Sequence, residues 1–182
     1  MELDRKYLEL AENFEQLDVK YSFLFTVEQY LYQGYSKEEA VSEAKDSLMD
    51  KWKLYKTAQN MGLILSDDEV SDLLNHYISD ISEADNFKDY EALLDEFHTS
   101  LEKIVWKSKG YFVYNWISNK LYALKFQEFA AGNDTINGTV YDSVEEYYNA
   151  FLEKTVNSYE LTDEESKKFL EELKEAEKFC LK

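Results

Sequence analysis

A chain of 182 residues with no proline and only five glycines has few places where its backbone is made to turn. Proline removes an amide donor and clashes with the preceding helical turn, and glycine weakens a helix through its backbone freedom. A sequence that avoids both reads as long helices. No stretch sustains the two-residue alternation of a half-buried strand. The expected fold class is therefore all-α. Apolar residues make up 45% of the chain, which supplies a core and sets the sequence apart from disordered chains.

The apolar spacing divides the chain. Residues 1–35 read as one long N-terminal helix, spanning 2–33, with Gly34 closing it. Leu3, Tyr7, Leu10, Phe14, Leu17, Tyr21 and Leu24 follow a coiled-coil period. Such a seam needs a facing partner, from this chain or from another.

Residues 36–131 read as a helical lobe. Ser36 with Glu39 forms a capping box, in which each side chain satisfies a free backbone amide. The helix it opens carries Ala40, Ala44, Leu48, Trp52 and Tyr55 and stops at Gly62. Ser66 with Glu69 opens the next, with a stripe of Val70, Leu73, Leu74, Tyr77, Ile78 and Ile81. After the polar stretch 82–86, a short helix is expected around Tyr90–Phe97. Thr99 with Glu102 then starts a helix running to about Ala131, and Gly110 marks the place for a bend or break.

Residues 132–140 read as a loop, and 141–182 as C-terminal helices that return to the lobe. Helix resumes near Ser143, and Thr162 with Glu165 opens the last one. Val144, Tyr148, Phe151 and Leu152 form a short stripe. Its expected receiving surface is Trp52, Leu73, Tyr77, Trp116 and Leu124.

Residues that carry chemistry are sparse. His76 and His98 belong to no spaced metal-ligand set, and no nucleophile, phosphate-loop or dinucleotide motif occurs. Cys180 is the single cysteine, so neither a disulfide framework nor a thiolate cage forms within one chain. Asp67, Asp68 and Glu69 sit where negative charge favours a helix N-terminus. A calcium loop starting at Asn133 puts Val144 where a bidentate glutamate is needed. The expectation is a protein without catalytic residues, metal or cofactor.

The net charge of −18 repels phosphate backbones and anionic lipid, so nucleic acid is not an expected partner. Basic or exposed apolar polypeptides are better matched. No apolar run approaches the roughly 20 residues of a membrane span, so direct insertion is not expected. The start Met-Glu-Leu-Asp lacks the regions of a signal peptide. The chain is expected to be cytoplasmic if Met1 is its native start, or extracytoplasmic if a signal or lipoprotein segment was trimmed.

Fifteen tyrosines, eleven phenylalanines and three tryptophans are the most distinctive feature. Tyrosine combines contact area with a polar tip and suits interfaces. The densest patch is residues 111–116, where Phe112 and Trp116 share one helical face and Tyr111 and Tyr114 another. With Tyr77, these four form the expected polypeptide-binding set.

The stretch from Leu54 to Val70 resembles an element of the SurA/PrsA/trigger-factor chaperones, in which a helix ends at a glycine, passes an extended link and restarts at a capped serine. The matching positions are Ala58, Gly62, Ile64, Ser66, Asp67, Glu69 and Val70. Residues 36–160 follow a similar order. The resemblance implies a SurA-like helical lobe that binds unfolded or extended polypeptide in the bacterial cell envelope. The family's parvulin isomerase domain would stand near 132–140 and is not in this sequence, so no prolyl isomerase activity is implied. The alternative is a helical adaptor or assembly protein that uses the seam of residues 3–24 to form homo-oligomers or bind a partner.

Overall fold

The computed structural model describes residues 2–181, with the side chains of Glu2, Leu3 and Asn157 outside the described set. Among the described residues the fold is all-α apart from one small hairpin. The helices are α1 (Glu2–Asn13), α2 (Asp18–Tyr32), α3 (Lys37–Asn60), α4 (Asp67–Ser82), α5 (Phe87–Glu96), α6 (Leu101–Lys107), α7 (Lys109–Ala130), α8 (Val144–Ser158) and α9 (Glu164–Cys180). Strands β1 (Thr135–Ile136) and β2 (Thr139–Val140) pair antiparallel, with Thr135 opposite Val140.

Several boundaries follow from local chemistry. The Ser36 hydroxyl accepts from the Glu39 amide at 3.3 Å, and the Ser36 amide donates to the Glu39 carboxylate at 2.9 Å. Ser66 and Glu69 repeat the arrangement. Gly34 and Gly62 adopt φ of +94° and +84°, which glycine reaches without a Cβ penalty. The hairpin within 132–140 also has a local cause. Asn137 and Gly138 hold φ of +53° and +83°, the two positive values a type I′ turn needs.

Other boundaries correct the sequence expectation. The N-terminal segment is not one helix over 2–33 but α1 and α2, broken at residues 14–17. The reason is tertiary. The Lys107 ammonium donates to the carbonyls of Ala11 at 2.6 Å and Phe14 at 2.9 Å, satisfying the end of α1. The Leu17 amide donates to the Lys107 carbonyl at 2.8 Å. The Gly110 amide donates to the Asp18 carboxylate at 2.7 Å. A Cβ on Gly110 would lie 2.6 Å from the Asp18 Cγ, so glycine is there for close approach. The expected break at Gly110 falls instead at Ser108, which ends α6. Two caps also move by one residue. Ser100, not Thr99, caps α6 by accepting from the Lys103 amide. Asp163, not Thr162, receives the Ser166 amide at 2.9 Å at the start of α9.

The chain forms two compact units. Unit 1 is Met1–Leu48, Leu65–Val113 and Lys168–Lys182; unit 2 is Met49–Ile64 and Tyr114–Lys167. Residues of the expected 36–131 lobe and of the 141–182 segment occur in both.

The core of unit 1 gathers Tyr7, Leu8, Leu10 and Ala11 of α1, Leu17 and Leu24, Leu74 of α4, Leu93 and Leu94 of α5, Leu101, Ile104 and Val105 of α6, and Phe112. The seam's facing partner is thus its own chain: Tyr7, Leu10, Leu17 and Leu24 are buried and Phe14 and Tyr21 pack against them. Leu3 lies outside the described side chains.

Unit 2 is organised around Trp52. Its indole N–H donates to the Ser166 hydroxyl at 2.8 Å, and its ring meets Tyr55 at 5.3 Å and Tyr114 at 5.6 Å. Helix α8 lies on the later part of α7, where Tyr122 meets Tyr148 edge-on at 5.0 Å and Lys125 stands 4.3 Å over the Phe151 ring.

Candidate functional site

The site is a cavity of about 510 Å³ in unit 1. Helix α1 supplies Asp4 and Tyr7, α2 supplies Tyr21, and α4 supplies Asp80 and Ile81. Ala84 and Asn86 come from the link to α5, which adds Phe87, Asp89, Tyr90 and Leu93. Leu101, Ile104 and Val105 of α6, then Ser108 and Phe112, complete the lining. A volume within roughly 300–1,000 Å³ and a predominantly apolar wall are what ligand pockets share.

Why these helices leave a recess follows from their corners. The α1–α2 and α6–α7 corners are tied together by Lys107, Leu17 and the Asp18–Gly110 bond. Helix α5 is anchored to α1 by a two-pronged pair, in which both terminal nitrogens of Arg5 donate to Glu96 at 2.7 and 2.8 Å. Parallel donation of this kind fixes geometry as well as proximity.

The wall is aromatic where α1, α2 and α7 meet. Tyr7 stacks on Tyr21 with centroids 4.4 Å apart, and Tyr21 meets Tyr111 at 4.7 Å. Phe112 touches Tyr111 at 5.2 Å and Tyr77 at 4.5 Å. Burial pushes the Tyr7 and Tyr21 phenols far up, and neighbouring tyrosines and acids add to it. Tyr90 is pushed up to about 12, first by burial and then by the negative charge of Asp4. These phenols stay protonated at neutral pH and keep an O–H to donate.

Two residues of the lining carry an orphaned hydroxyl. The Tyr7 and Ser108 hydroxyl oxygens are fully buried, in residues that are 8% and 1% exposed, and neither has a hydrogen-bond partner among the described residues. Leaving such a group unpaired costs about 1–3 kcal/mol. The charged residues of the lining are all acidic: Asp4, Asp80 and Asp89. Asp80 and Asp89 are exposed, and the His76 imidazole lies 3.4 Å from the Asp80 carboxylate on the outer surface.

The expected polypeptide-binding set divides. Phe112 lines the cavity, and Tyr111 and Tyr77 pack on it. Tyr114 and Trp116 belong to unit 2, where Tyr114 meets Tyr55 at 4.5 Å and Trp116 lies under the Lys120 ammonium at 5.0 Å. From the seam, Tyr7 and Tyr21 reach the cavity, whereas Leu10 and Leu17 serve the core. Phe14 sits edge-on to Phe179 at 6.3 Å, with the Lys20 ammonium 4.7 Å from its ring.

Sequence reasoning missed Ser108, Asp80, Asp89, Phe87 and Tyr90. The available signal was weak: an acidic residue on each side of the polar stretch 82–86, and aromatics just beyond it. For Ser108 there was none, because a serine between two lysines reads as surface.

A second recess of about 470 Å³ in unit 1 is lined in part by Leu24, Phe179 and Cys180. Burial pushes the Cys180 thiol up to about 11, so it is a thiol rather than a nucleophilic thiolate at neutral pH. Among the described residues, no group of three or more His, Cys, Asp or Glu side chains is placed to hold a metal ion. The Glu69 carboxylate is used in capping, which holds its pKa down through the Ser66 amide and hydroxyl. Among the described residues, no helix is long and apolar enough to cross a membrane.

Compared with known proteins, the chain matches no family model, no curated protein and no solved structure.

Proposed function

We propose that this protein binds unfolded or extended polypeptide in the manner of a chaperone, without prolyl isomerase or other catalytic activity. The observation that carries the reading is the unit 1 cavity. Its wall is apolar and aromatic, and the charged residues that line it are acidic. An extended chain presents what such a recess takes: an apolar side chain, with polar groups beside it.

The negative charge of the whole chain supports the same reading. It draws in basic segments and keeps a loaded complex from associating with further copies. The resemblance of residues 54–70 to the SurA/PrsA chaperones supports it independently of the cavity, and suggests the bacterial cell envelope as the place of action.

The test is suppression of aggregation of a chemically denatured client at stoichiometric ratio, with and without reversal of the acidic rim. The double substitution Asp80→Lys and Asp89→Lys changes exposed residues and should leave the melting temperature near that of the wild type. It should weaken client binding about three- to tenfold at low salt, since exposed charges contribute about 0.2–1 kcal/mol each. No protection by the wild type, with no client binding in titration, sinks the reading.

A further inference from the structure

We infer that the outer face of α7 in unit 2 is an interface for a second copy of this chain, formed by two α7 helices packed antiparallel about a two-fold axis between residues 124 and 125.

Helix α7 is apolar on all sides, and a helix of that kind is normally buried all round. Its inner face is: Ile117, Leu121 and Lys125 are buried, and Lys125 donates to Glu128 at 2.8 Å. Its outer face is not. Asn119, Tyr122, Ala123, Phe126, Gln127 and Ala130 follow helical spacing and are all exposed, with Tyr122 at 45% and Phe126 at 50%. Aromatic rings grouped in water on one helical face mark a contact surface. The seam of residues 3–24 is already taken up within unit 1 and does not supply such a contact.

Two properties of the face select a second copy as its occupant. The first is charge. The chain carries −18, so two copies repel wherever their acidic surfaces meet. These six residues carry no charge, and the residue flanking them is the exposed Lys120. An antiparallel pair sets each Lys120 beside the C-terminal end of the other α7, where the helix dipole is negative. It also keeps the two Lys120 residues about 13 Å apart along the axis, at roughly 1.5 Å per residue.

The second property is symmetry. Residues 119 and 130, 122 and 127, and 123 and 126 stand at equal distances on either side of the midpoint. An isologous two-fold contact requires this self-complementarity, and a partner of another sequence gains nothing from it. In the pair, Phe126 of one copy lies beside Ala123 and Tyr122 of the other, so a large ring meets a small side chain as helix packing favours. The contact consumes the face, so association stops at two copies. One face of about three turns buries less than the roughly 1,200 Å² of a standard interface, which sets the expected Kd on the order of 10 μM.

The test is sedimentation of the full chain between about 1 and 200 μM. The mass should rise from one chain toward two. Raising the salt from about 0.02 to 0.3 M should tighten the pair severalfold, because the repulsion between copies is screened. The variants Phe126→Glu and Ala123→Gln change exposed positions and should leave the melting temperature near that of the wild type. Each should weaken association at least about tenfold, by burying a charge or blocking the close approach. Tyr32→Glu, at an exposed tyrosine of α2 in unit 1, should have no effect.

A chain that stays single up to the highest concentration overturns the inference, as does association that salt weakens. So does association that survives both α7 variants, or that Tyr32→Glu disrupts equally. Orientation is read from crosslinking in a Cys180→Ser background. Ala123→Cys, near the two-fold axis, should oxidise to a covalent dimer with copper–phenanthroline. Ala130→Cys, about 16 Å along the axis from its mate, should stay unlinked. Equal crosslinking at both positions overturns the antiparallel pair.

Discussion

Each unit buries one serine hydroxyl almost completely, Ser166 in unit 2 and Ser108 in unit 1, and the two differ in what they find there. In unit 2 the Ser166 hydroxyl, in a residue with no exposed surface, accepts from the Trp52 indole at 2.8 Å and donates to Asp163 at 2.9 Å. Asp163 in turn receives the Tyr159 phenol at 3.0 Å, and Lys56 pairs with both Asp163 and Glu165. In unit 1 the Ser108 hydroxyl is almost as deeply buried and has no hydrogen-bond partner among the described residues, nor has the Tyr7 hydroxyl. Both residues line one cavity. A satisfied network makes an element rigid, whereas a buried hydroxyl left unpaired costs stability.

The contrast can be broken or sharpened by substitution. The largest effect is expected at the hub of the satisfied network. Trp52→Ala removes a ring that is 7% exposed, together with the donor to Ser166. It should cost about 3–5 kcal/mol in denaturant unfolding, the range for truncating a buried aromatic. A loss below about 1 kcal/mol would mean that the network is not built around Trp52.

A smaller effect, and a sharper comparison, comes from the same substitution at two buried serines. Ser166→Ala should cost about 1–3 kcal/mol, because the Trp52 indole is left without its acceptor. Ser108→Ala strands no partner and should be neutral or stabilising by up to about 1 kcal/mol. Equal losses at the two sites, read from denaturation midpoints, would remove the distinction between the units.

The smallest effect concerns pH. The Asp163 carboxyl is held down to about 2, chiefly by the Ser166 amide, with the Ser166 hydroxyl, the Tyr159 phenol and Lys56 assisting. Its contribution to stability is fully present above the ordinary value of 3.8 and is lost as pH falls through about 2. Because this side chain is 38% exposed, solvent screening keeps the contribution below about 1 kcal/mol. Asp163→Asn retains the capping oxygen and removes the charge. The melting temperature of the variant should therefore fall less than that of the wild type between about pH 4 and 2. Parallel curves would show that Asp163 acts as a neutral cap alone.

Local chemistry was readable wherever a feature depends on residues a few positions apart. The Ser36–Glu39 and Ser66–Glu69 boxes and the glycine stops at 34 and 62 need only backbone amides and a side chain within reach, and all four stand where the sequence put them. The same logic applies at Asn137-Gly138, a dipeptide that favours the hairpin turn found there within the expected loop 132–140. The site was half legible. Phe112, Tyr111 and Tyr77 of the expected binding set do meet, but Tyr114, three residues along from Tyr111, belongs to unit 2.

What the amino-acid sequence determined by itself was the all-α class, because the absence of proline, the scarcity of glycine and the helical spacing of apolar residues act within a few turns. It did not determine the break at residues 14–17, since nothing in Phe-Glu-Gln-Leu ends a helix. That break exists because Lys107, distant in the chain, binds the carbonyls of Ala11 and Phe14, and Gly110 lets Asp18 approach. Nor did it determine that Tyr7 and Ser108 would line one cavity without partners. Burial and hydrogen bonding at those two hydroxyls depend on how helices distant in the chain meet, and only the tertiary structure decides that.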